Sequence, residues 1–182
     1  MSKIKLRLPL AQALAGKVTA ALEPGCLRCE VAGSIRRAKA EVGDIEIVCI
    51  PRPIVDLFGD PIGSLLDRIL ATLAEEGRLI RGDKNGQKYK TFFIPSVPGL
   101  KLDLFITTPE CWGVNFTIRT GPAEFSQQIV TQKNKGGLLP SDLNVAGARV
   151  WRGAEVLATP EEKDFFELVG GPGWWLEPGE RG

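Results

Sequence analysis

The sequence contains no histidine among its 182 residues. This absence excludes Ser-His-Asp and Cys-His nucleophilic sites, and it excludes metal sites built on imidazole. Catalysis by this chain therefore has to use carboxylates, lysine, arginine, hydroxyl groups or metal ions such as Mg²⁺ that bind oxygen atoms.

Long apolar runs are also missing. No stretch approaches the roughly 20 apolar residues that a membrane-spanning helix requires. Residues 1–7 alternate charged with apolar side chains and lack the apolar core of a signal peptide. We therefore expect a cytoplasmic protein without a membrane partner. We also expect a monomer.

Cysteine is scarce, with four residues at Cys26, Cys29, Cys49 and Cys111. The pair Cys26 and Cys29 has the Cys-x-x-Cys spacing of half a zinc site or of a redox pair. A structural zinc site needs four Cys or His ligands, and this chain has neither a histidine nor a second cysteine pair. Ordinary reduced thiols are therefore the favoured interpretation.

The net charge is only +1, because the chain has 23 basic and 22 acidic residues. The basic residues nevertheless cluster in segments 28–39, 78–90 and 133–135, whereas acidic residues collect in segment 161–180. This uneven distribution weakly favours a polyanionic partner.

Hydrophobic periodicity predicts two parts with a change of character near Pro109. The first part should contain helices at 9–22 and 61–76 and strands at 27–32, 44–50, 89–97 and 100–107. The second part should contain helices at 122–133 and 160–169 and a hairpin within 142–158, turning near Gly147 or Gly153. Such an order of elements predicts a mixed sheet covered by helices.

Three carboxylates carry the chemistry. Asp44 and Glu46 lie two residues apart on a predicted strand, so their side chains point to the same face. Adjacent carboxylates repel each other unless a cation lies between them. If the strand of Asp103 neighbours theirs, the three side chains converge and can hold the two divalent ions of a nucleotidyl transfer reaction.

A glycine-serine turn precedes these carboxylates. Gly33 and Ser34 follow a predicted strand and begin a helical turn, where free backbone N–H groups favour a phosphate. Arg36 and Arg37 come next and can reach the outer oxygens of a triphosphate.

Taken together, the Gly33-Ser34 turn, the Gly43-Asp44-x-Glu46 strand and the distant Leu102-Asp103-Leu104 resemble the nucleotidyltransferase signature of the family X DNA polymerases. The resemblance extends along nearly the whole chain. Matching segments elsewhere are Arg7-Leu8-Pro9, Trp112-Gly113-Val114, Arg119-Thr120-Gly121-Pro122 and Glu162 to Glu167.

This resemblance implies an α+β fold, with a nucleotidyltransferase palm of mixed sheet and helices at 1–108 and a small α+β thumb at 109–182. It implies that Asp44, Glu46 and Asp103 are catalytic and bind two Mg²⁺ or Mn²⁺ ions. Residues implied to contact the nucleotide are Arg7, Gly33, Ser34, Arg37, Gly43, Arg119, Thr120 and Gly121. Candidate DNA contacts are Lys88, Lys90, Lys101, Lys133 and Lys135.

Several departures from the family pattern qualify these implications. Glu46 stands where the polymerases mostly have Asp, Lys101 where they have Arg, and Ser126 where they have a base-contacting Asn. Ile118 and Arg119 replace the aromatic pair that selects the sugar. Gly121-Pro122 falls where the family can hold a cis peptide. The N-terminal DNA-binding region with its lyase lysine has no counterpart, so we expect weak DNA affinity and no lyase activity.

The leading hypothesis is a DNA polymerase that adds nucleotides from nucleoside triphosphates to a DNA 3′ end or primer-template, in gap filling or end repair. A second hypothesis is a nucleotidyltransferase that modifies RNA, a protein or a small molecule. A third is a non-catalytic module that binds DNA ends. Trp174 and Trp175 either stack on a base or pin the C-terminal tail to the fold, and packing is the favoured role.

Overall fold

The computed structural model describes residues 4–181. The chain divides into two compact units, residues 1–106 and 107–182. Both units contain helices and strands, and the largest sheet contains parallel and antiparallel neighbours, so the predicted α+β class with a mixed sheet is confirmed.

The first unit is built on a five-stranded sheet of order β2-β4-β9-β8-β7, in which β4 and β9 are parallel and the other neighbours antiparallel. Its elements are β1 (Leu6–Arg7), α1 (Leu8–Leu22), β2 (Cys26–Val31), α2 (Gly33–Arg36), β3 (Glu41–Val42), β4 (Asp44–Pro51), β5 (Pro53–Val55), β6 (Pro61–Ser64), α3 (Leu65–Glu75), β7 (Ile80–Asn85), β8 (Tyr89–Phe93) and β9 (Lys101–Ile106).

One face of this sheet belongs to the hydrophobic core. Ile45 and Ile47 of β4 lie in register with Leu102 and Leu104 of β9, and all four are fully buried. The same core cluster holds buried residues of α1 and α3, namely Ala11, Ala15, Leu22, Leu66, Leu70 and Leu73. Because side chains alternate along a strand, the residues between these isoleucines and leucines project from the opposite face.

The predicted helix at 61–76 is correct only from Leu65 onward. Its first residues form β6, which pairs antiparallel with β5. Ser64 then begins α3, because its hydroxyl accepts a hydrogen bond from the Asp67 N–H at 3.0 Å. Strand β7 was not predicted: it is a largely exposed edge strand that lacks apolar alternation and whose pairing is irregular.

The second unit contains α4 (Trp112–Thr120), α5 (Ala123–Val130), β10 (Leu143–Ala146), β11 (Arg149–Arg152), β12 (Glu155–Leu157) and α6 (Glu162–Gly170). The three strands form an antiparallel meander. Both turns that were predicted as alternatives are therefore present, and Gly147 and Gly153 each have a positive φ, of 60° and 59°.

Helix α4 was not predicted as a helix. Seven of its nine residues are buried, so its sequence lacks the polar face that marks an amphipathic helix. Gly113 permits close packing, because a Cβ there would overlap the backbone of Glu161, and its N–H donates to the Thr159 carbonyl at 2.6 Å. The peptide bond before Pro122 is trans, as are the other described peptide bonds.

The C-terminal tail packs onto α6. The rings of Trp174 and Trp175 lie 5.2 and 4.9 Å from the Phe166 ring, which confirms the packing role predicted for them. Arg181 lies over the same phenyl ring and pairs with the buried Glu162 carboxylate at 2.7 Å. Among the helices of residues 4–181, none is long and apolar enough to cross a membrane.

Candidate active site

Strand β4 presents the first two candidate carboxylates. Asp44 and Glu46 are half-buried, whereas Ile45 and Ile47 are completely buried. The alternation shows that the two carboxylates share the sheet face that lies away from the hydrophobic core.

The third carboxylate lies on the neighbouring strand. Asp103 of β9 is in register with Glu46 of β4, and Lys101 is in register with Asp44. Adjacent strands lie about 4.8 Å apart, and residues in register point to the same face. The structure therefore brings Asp103, from a distant part of the sequence, onto the face of Asp44 and Glu46.

Asp103 is the most deeply buried of the three, with 4% of its surface exposed. One of its oxygens accepts a hydrogen bond from the Tyr89 hydroxyl at 2.7 Å, and the other lies 2.8 Å from the Lys101 ammonium group. These two partners hold the carboxylate in a defined orientation within the sheet.

Both partners show shifted titration. Burial raises the pKa of Tyr89 to about 12, and the hydrogen bond and the charge of Asp103 act in the same direction. The hydrogen bond to Asp103, aided by the carboxylate charge and opposed by burial, raises the pKa of Lys101. The tyrosine is therefore a neutral donor and the lysine a cation at neutral pH.

Tyr89 is the functional candidate that the sequence reasoning missed. It is the single tyrosine of the chain and lies on β8, in register with Phe105, whose ring stacks on it at 5.0 Å. Its hydroxyl reaches diagonally to Asp103. The sequence did contain a clue to this residue. Tyr89 begins the first strand of the predicted hairpin, and its side chain lies on the same face of the sheet as that of Asp103 on the second strand.

The backbone corner at Gly33 lies directly against Glu46. Gly33 has a φ of +61°, and a Cβ at this position would overlap the side-chain carboxylate of Glu46. The N–H of Ala32 donates to the Glu46 carbonyl at 2.8 Å and ties the corner to β4. Glycine is therefore needed here both for the backbone angle and for the close approach of Glu46.

Beside this corner lie the residues predicted to bind phosphate. The hydroxyl oxygen of Ser34 is buried and has no hydrogen-bond partner among the residues that the structure describes. A buried hydroxyl without a partner is costly, so its position is suited to a polar ligand. Burial lowers the pKa of Arg37, although the charges of Glu46 and Asp44 act against this shift, so its guanidinium lies within their electric field.

The other residues predicted to contact the nucleotide lie in other elements of the two units. Arg7 is exposed at the start of α1, and Gly43 is exposed between β3 and β4. Arg119, Thr120 and Gly121 form the end of α4 in the second unit. A Cβ on Gly121 would overlap the Phe125 ring, so packing within that unit gives this glycine a structural reason of its own. Their contact with a nucleotide stays a prediction.

The lysines predicted to touch DNA have different surroundings. Lys90 is only 13% exposed in its side chain and pairs with Asp67 at 3.1 Å. Lys101 is engaged with Asp103, whereas Lys88, Lys133 and Lys135 are exposed. The exposed three are the better placed to meet a phosphate backbone, and DNA contact by any of the five stays a prediction.

The donor set of the sheet face suits a hard cation. Three carboxylates on two adjacent strands offer the oxygen ligands that Mg²⁺ prefers. The three carboxylates are spread along this face, and their oxygen atoms do not all lie within 4.8 Å of one another. Among residues 4–181, the potential metal ligands that do lie within this distance of one another are Cys26, Cys29 and Cys49.

The chain was compared with known protein families and with characterised proteins. The chain matches no model of a protein family. It is 30% identical over 178 residues to DNA polymerase lambda of Rattus norvegicus, a family X polymerase, and the match covers 88% of this chain. The chain spans 30% of the length of that relative. The similarity supports a relationship to the family X polymerases, and the mixed α+β fold is consistent with a palm and a thumb.

Proposed function

We propose that the chain is a nucleotidyltransferase of the family X type that adds nucleotides from nucleoside triphosphates to a DNA 3′-hydroxyl. Gap filling or end repair is the proposed role. The palm is assigned to residues 1–108 and the thumb to residues 109–182. DNA polymerase lambda, to which the chain is similar, is named for the polymerase activity on DNA that we propose here.

The observation that carries the proposal is the register of β4 and β9. This register places Asp103 directly opposite Glu46, on the sheet face that points away from the core. Asp44 lies on the same face, two residues before Glu46 along β4. Sheet surfaces often carry acidic residues, but a carboxylate that is 4% exposed and held by two partners is not an ordinary solvated side chain.

We assign Asp44, Glu46 and Asp103 as the ligands of two Mg²⁺ or Mn²⁺ ions. Their all-oxygen donor set, and the close fit of Gly33 against Glu46, support this assignment. Bound there, such ions would lower the pKa of the primer hydroxyl and neutralise charge on the triphosphate. Tyr89 and Lys101 orient Asp103, and the lysine supplies a positive charge at its second oxygen.

The triphosphate is assigned to the corner between β2 and α2. Ser34 would give its unpartnered hydroxyl to a phosphate oxygen, and Arg37 would contribute a positive charge beside the carboxylates. The carboxylates and the phosphates would then share one charged region on the same side of the sheet, as phosphoryl transfer requires.

Primer extension tests this proposal. Purified chain is mixed with a gapped, nicked or recessed DNA substrate, deoxynucleoside triphosphates and Mg²⁺ or Mn²⁺. Wild type should lengthen the primer. Asp103→Asn and Glu46→Gln should slow extension by about a hundredfold or more, because charge stabilisation by a metal ion is worth several kcal/mol.

Glu75→Gln is the matched control, since Glu75 is exposed on α3 and lies outside the site. It should extend primers as wild type does. Parallel reactions with RNA and protein acceptors and all common nucleotides test the acceptor. Incorporation into RNA or protein but not into DNA would show that DNA is not the acceptor. The proposal would be overturned if folded wild-type protein were inactive on every acceptor.

A further inference from the structure

Three cysteines of the first unit meet on the sheet face opposite the carboxylates. Cys26 and Cys29 belong to β2 and Cys49 to β4, and all three are free thiols. Cys49 shares the face of Ile45 and Ile47, because it follows them at alternate positions. Within residues 4–181, the donor atoms of these three cysteines all lie within 4.8 Å of one another.

A β-bulge brings Cys26 into this group. In a regular strand, residues three apart point to opposite faces, so Cys26 and Cys29 should diverge. The β2–β4 pairing shifts register between Cys26 and Arg28, while Cys29 remains directly opposite Cys49. The extra residue at the bulge reverses the alternation and turns the Cys26 side chain toward the other two sulfurs.

The sulfur spacing is that of a metal site. The Sγ atoms of Cys29 and Cys49 lie 3.6 Å apart. Two thiolates bound to one tetrahedral ion at about 2.3 Å have sulfur atoms about 3.8 Å apart. Buried cysteines often serve as small apolar residues. The arrangement here is more specific than apolar packing requires. A bulge brings two cysteines of one strand together with one cysteine of the neighbouring strand into a single sulfur cluster.

A fixed positive charge lies beside the cluster. The Arg52 guanidinium donates a hydrogen bond to the Cys26 carbonyl at 3.1 Å. A nearby cation favours the thiolate, which is the form of cysteine that binds metals.

We propose that Cys26, Cys29 and Cys49 form a binding site for one thiophilic d¹⁰ metal ion, of the Zn²⁺ or Cu⁺ class. Thiolates select these ions over Mg²⁺, so the site is distinct from the carboxylate face. Each thiol that binds as a thiolate releases its proton to solvent. Three sulfurs satisfy Cu⁺, whereas Zn²⁺ would take a fourth ligand from solvent beside the half-buried Cys29.

The consequence of such a site would be structural. Strand β2 leads into the Gly33 corner, and β4 carries Asp44 and Glu46 on its other face. A metal ion bound to both strands would tie together the two elements that position the proposed active site. An ion that binds only the folded chain raises its stability by mass action.

Metal titration of the full chain tests the proposal. Reduced, metal-free protein is saturated with Mg²⁺ and then titrated with Co²⁺, which reports thiolate ligation through its charge-transfer absorption. Competition with colorimetric chelators measures Zn²⁺ and Cu⁺ affinity. We expect one ion per chain, thiolate charge transfer and a higher thermal midpoint with Zn²⁺ or Cu⁺. The relative affinities identify which of the two ions the site prefers.

Variants connect the signal to the three residues. Cys29→Ser changes the most accessible ligand and is the least disruptive to the core, and Cys26→Ser tests the residue turned by the bulge. Each should weaken binding by more than the about 10–100-fold that loss of an outer-sphere partner costs. Cys111→Ser, in the second unit, and Asp44→Asn, on the other face, should leave the affinity unchanged.

Three results would overturn the proposal. The first is absence of Co²⁺ charge transfer at one equivalent in the reduced wild-type chain. The second is metal affinity equal in wild type and folded Cys29→Ser. The third is rapid formation of a Cys29–Cys49 disulfide under mild oxidation that added Zn²⁺ does not slow, which would make the cluster a redox pair instead.

Discussion

At the scale of single residues, Asp103 depends on its neighbours. A carboxylate buried in a sheet needs partners, because burial without them disfavours its charge. Tyr89 and Lys101 each bind one of its oxygens. The arrangement explains how an acidic residue can lie between two buried leucines of β9 without disrupting the strand.

The tyrosine hydroxyl can be observed in isolation, because Tyr89 is the chain's single tyrosine. Near-UV titration of the folded protein should place its pKa at about 12, above the value of 10.0 for a free tyrosine. Asp103→Asn should lower this pKa but leave it above 10, since burial, the largest cause of the shift, remains. A wild-type value near 10 would contradict the hydrogen bond.

The direction of the pKa shift also determines a pH effect on stability. A pKa raised by folding means that the native state retains the Tyr89 proton more strongly than the unfolded state. The resulting contribution to the free energy of unfolding is complete below pH 10 and is lost as pH rises through about 12. The pKa of Lys101 is also raised, so its contribution to the free energy of unfolding is likewise lost as the pH rises into the alkaline range.

At the scale of elements, two glycines show how backbone context decides the role of a residue. Gly33 begins α2 with a positive φ and lies against Glu46, whereas Gly16 is an exposed residue inside α1 with open space around it. Glycine is required at the first position, and at the second it weakens a helix that alanine would favour.

The same substitution should therefore have opposite effects at these positions. Gly33→Ala should destabilise the fold, with about 1–2 kcal/mol from the left-handed backbone alone, and should displace Glu46 and reduce primer extension. Gly16→Ala should stabilise by about 0.5–1 kcal/mol and leave extension unchanged. Urea unfolding and extension assays measure both effects. An active and stable Gly33→Ala enzyme would refute the importance of the corner.

At the scale of the whole molecule, each unit has its own hydrophobic cluster. In the second unit, the tail crosses α6 and ends in the buried pair of Arg181 with Glu162. All four tryptophans, Trp112, Trp151, Trp174 and Trp175, lie in this unit, whereas Tyr89 lies in the first. The chain thus carries a separate optical probe for each unit.

Removing Arg181 should destabilise the second unit selectively. Arg181→Ala leaves Glu162 buried without its cation, and loss of one partner of a buried pair costs about 3–5 kcal/mol. The urea midpoint seen by tryptophan fluorescence should fall, while that seen by Tyr89 absorption should move much less. Arg152→Ala, which breaks an exposed pair with Asp142, should cost about 1 kcal/mol or less. Equal shifts of both probes would show that the two cores do not unfold separately.

The carboxylate pair of β4 could be predicted from sequence, since strand alternation depends only on local geometry. The same reasoning found α1 and the Gly33 turn, and it offered as alternatives for a single hairpin the two β-turns that are both present in the second unit. It missed α4 and β7, because a helix buried on most sides and an exposed edge strand both lack the periodicity that local reasoning detects.

The chemistry available to this protein follows from its residues alone: no histidine, paired carboxylates on one strand, and a glycine that a tight corner requires. Which of these residues meet depends on how the chain folds. The parallel pairing of β4 with β9 brought Asp103 to Glu46, Tyr89 reached Asp103 from a third strand, and a bulge turned Cys26 toward Cys49. Strand register and bulges arise from packing between distant segments, so local sequence patterns do not specify them.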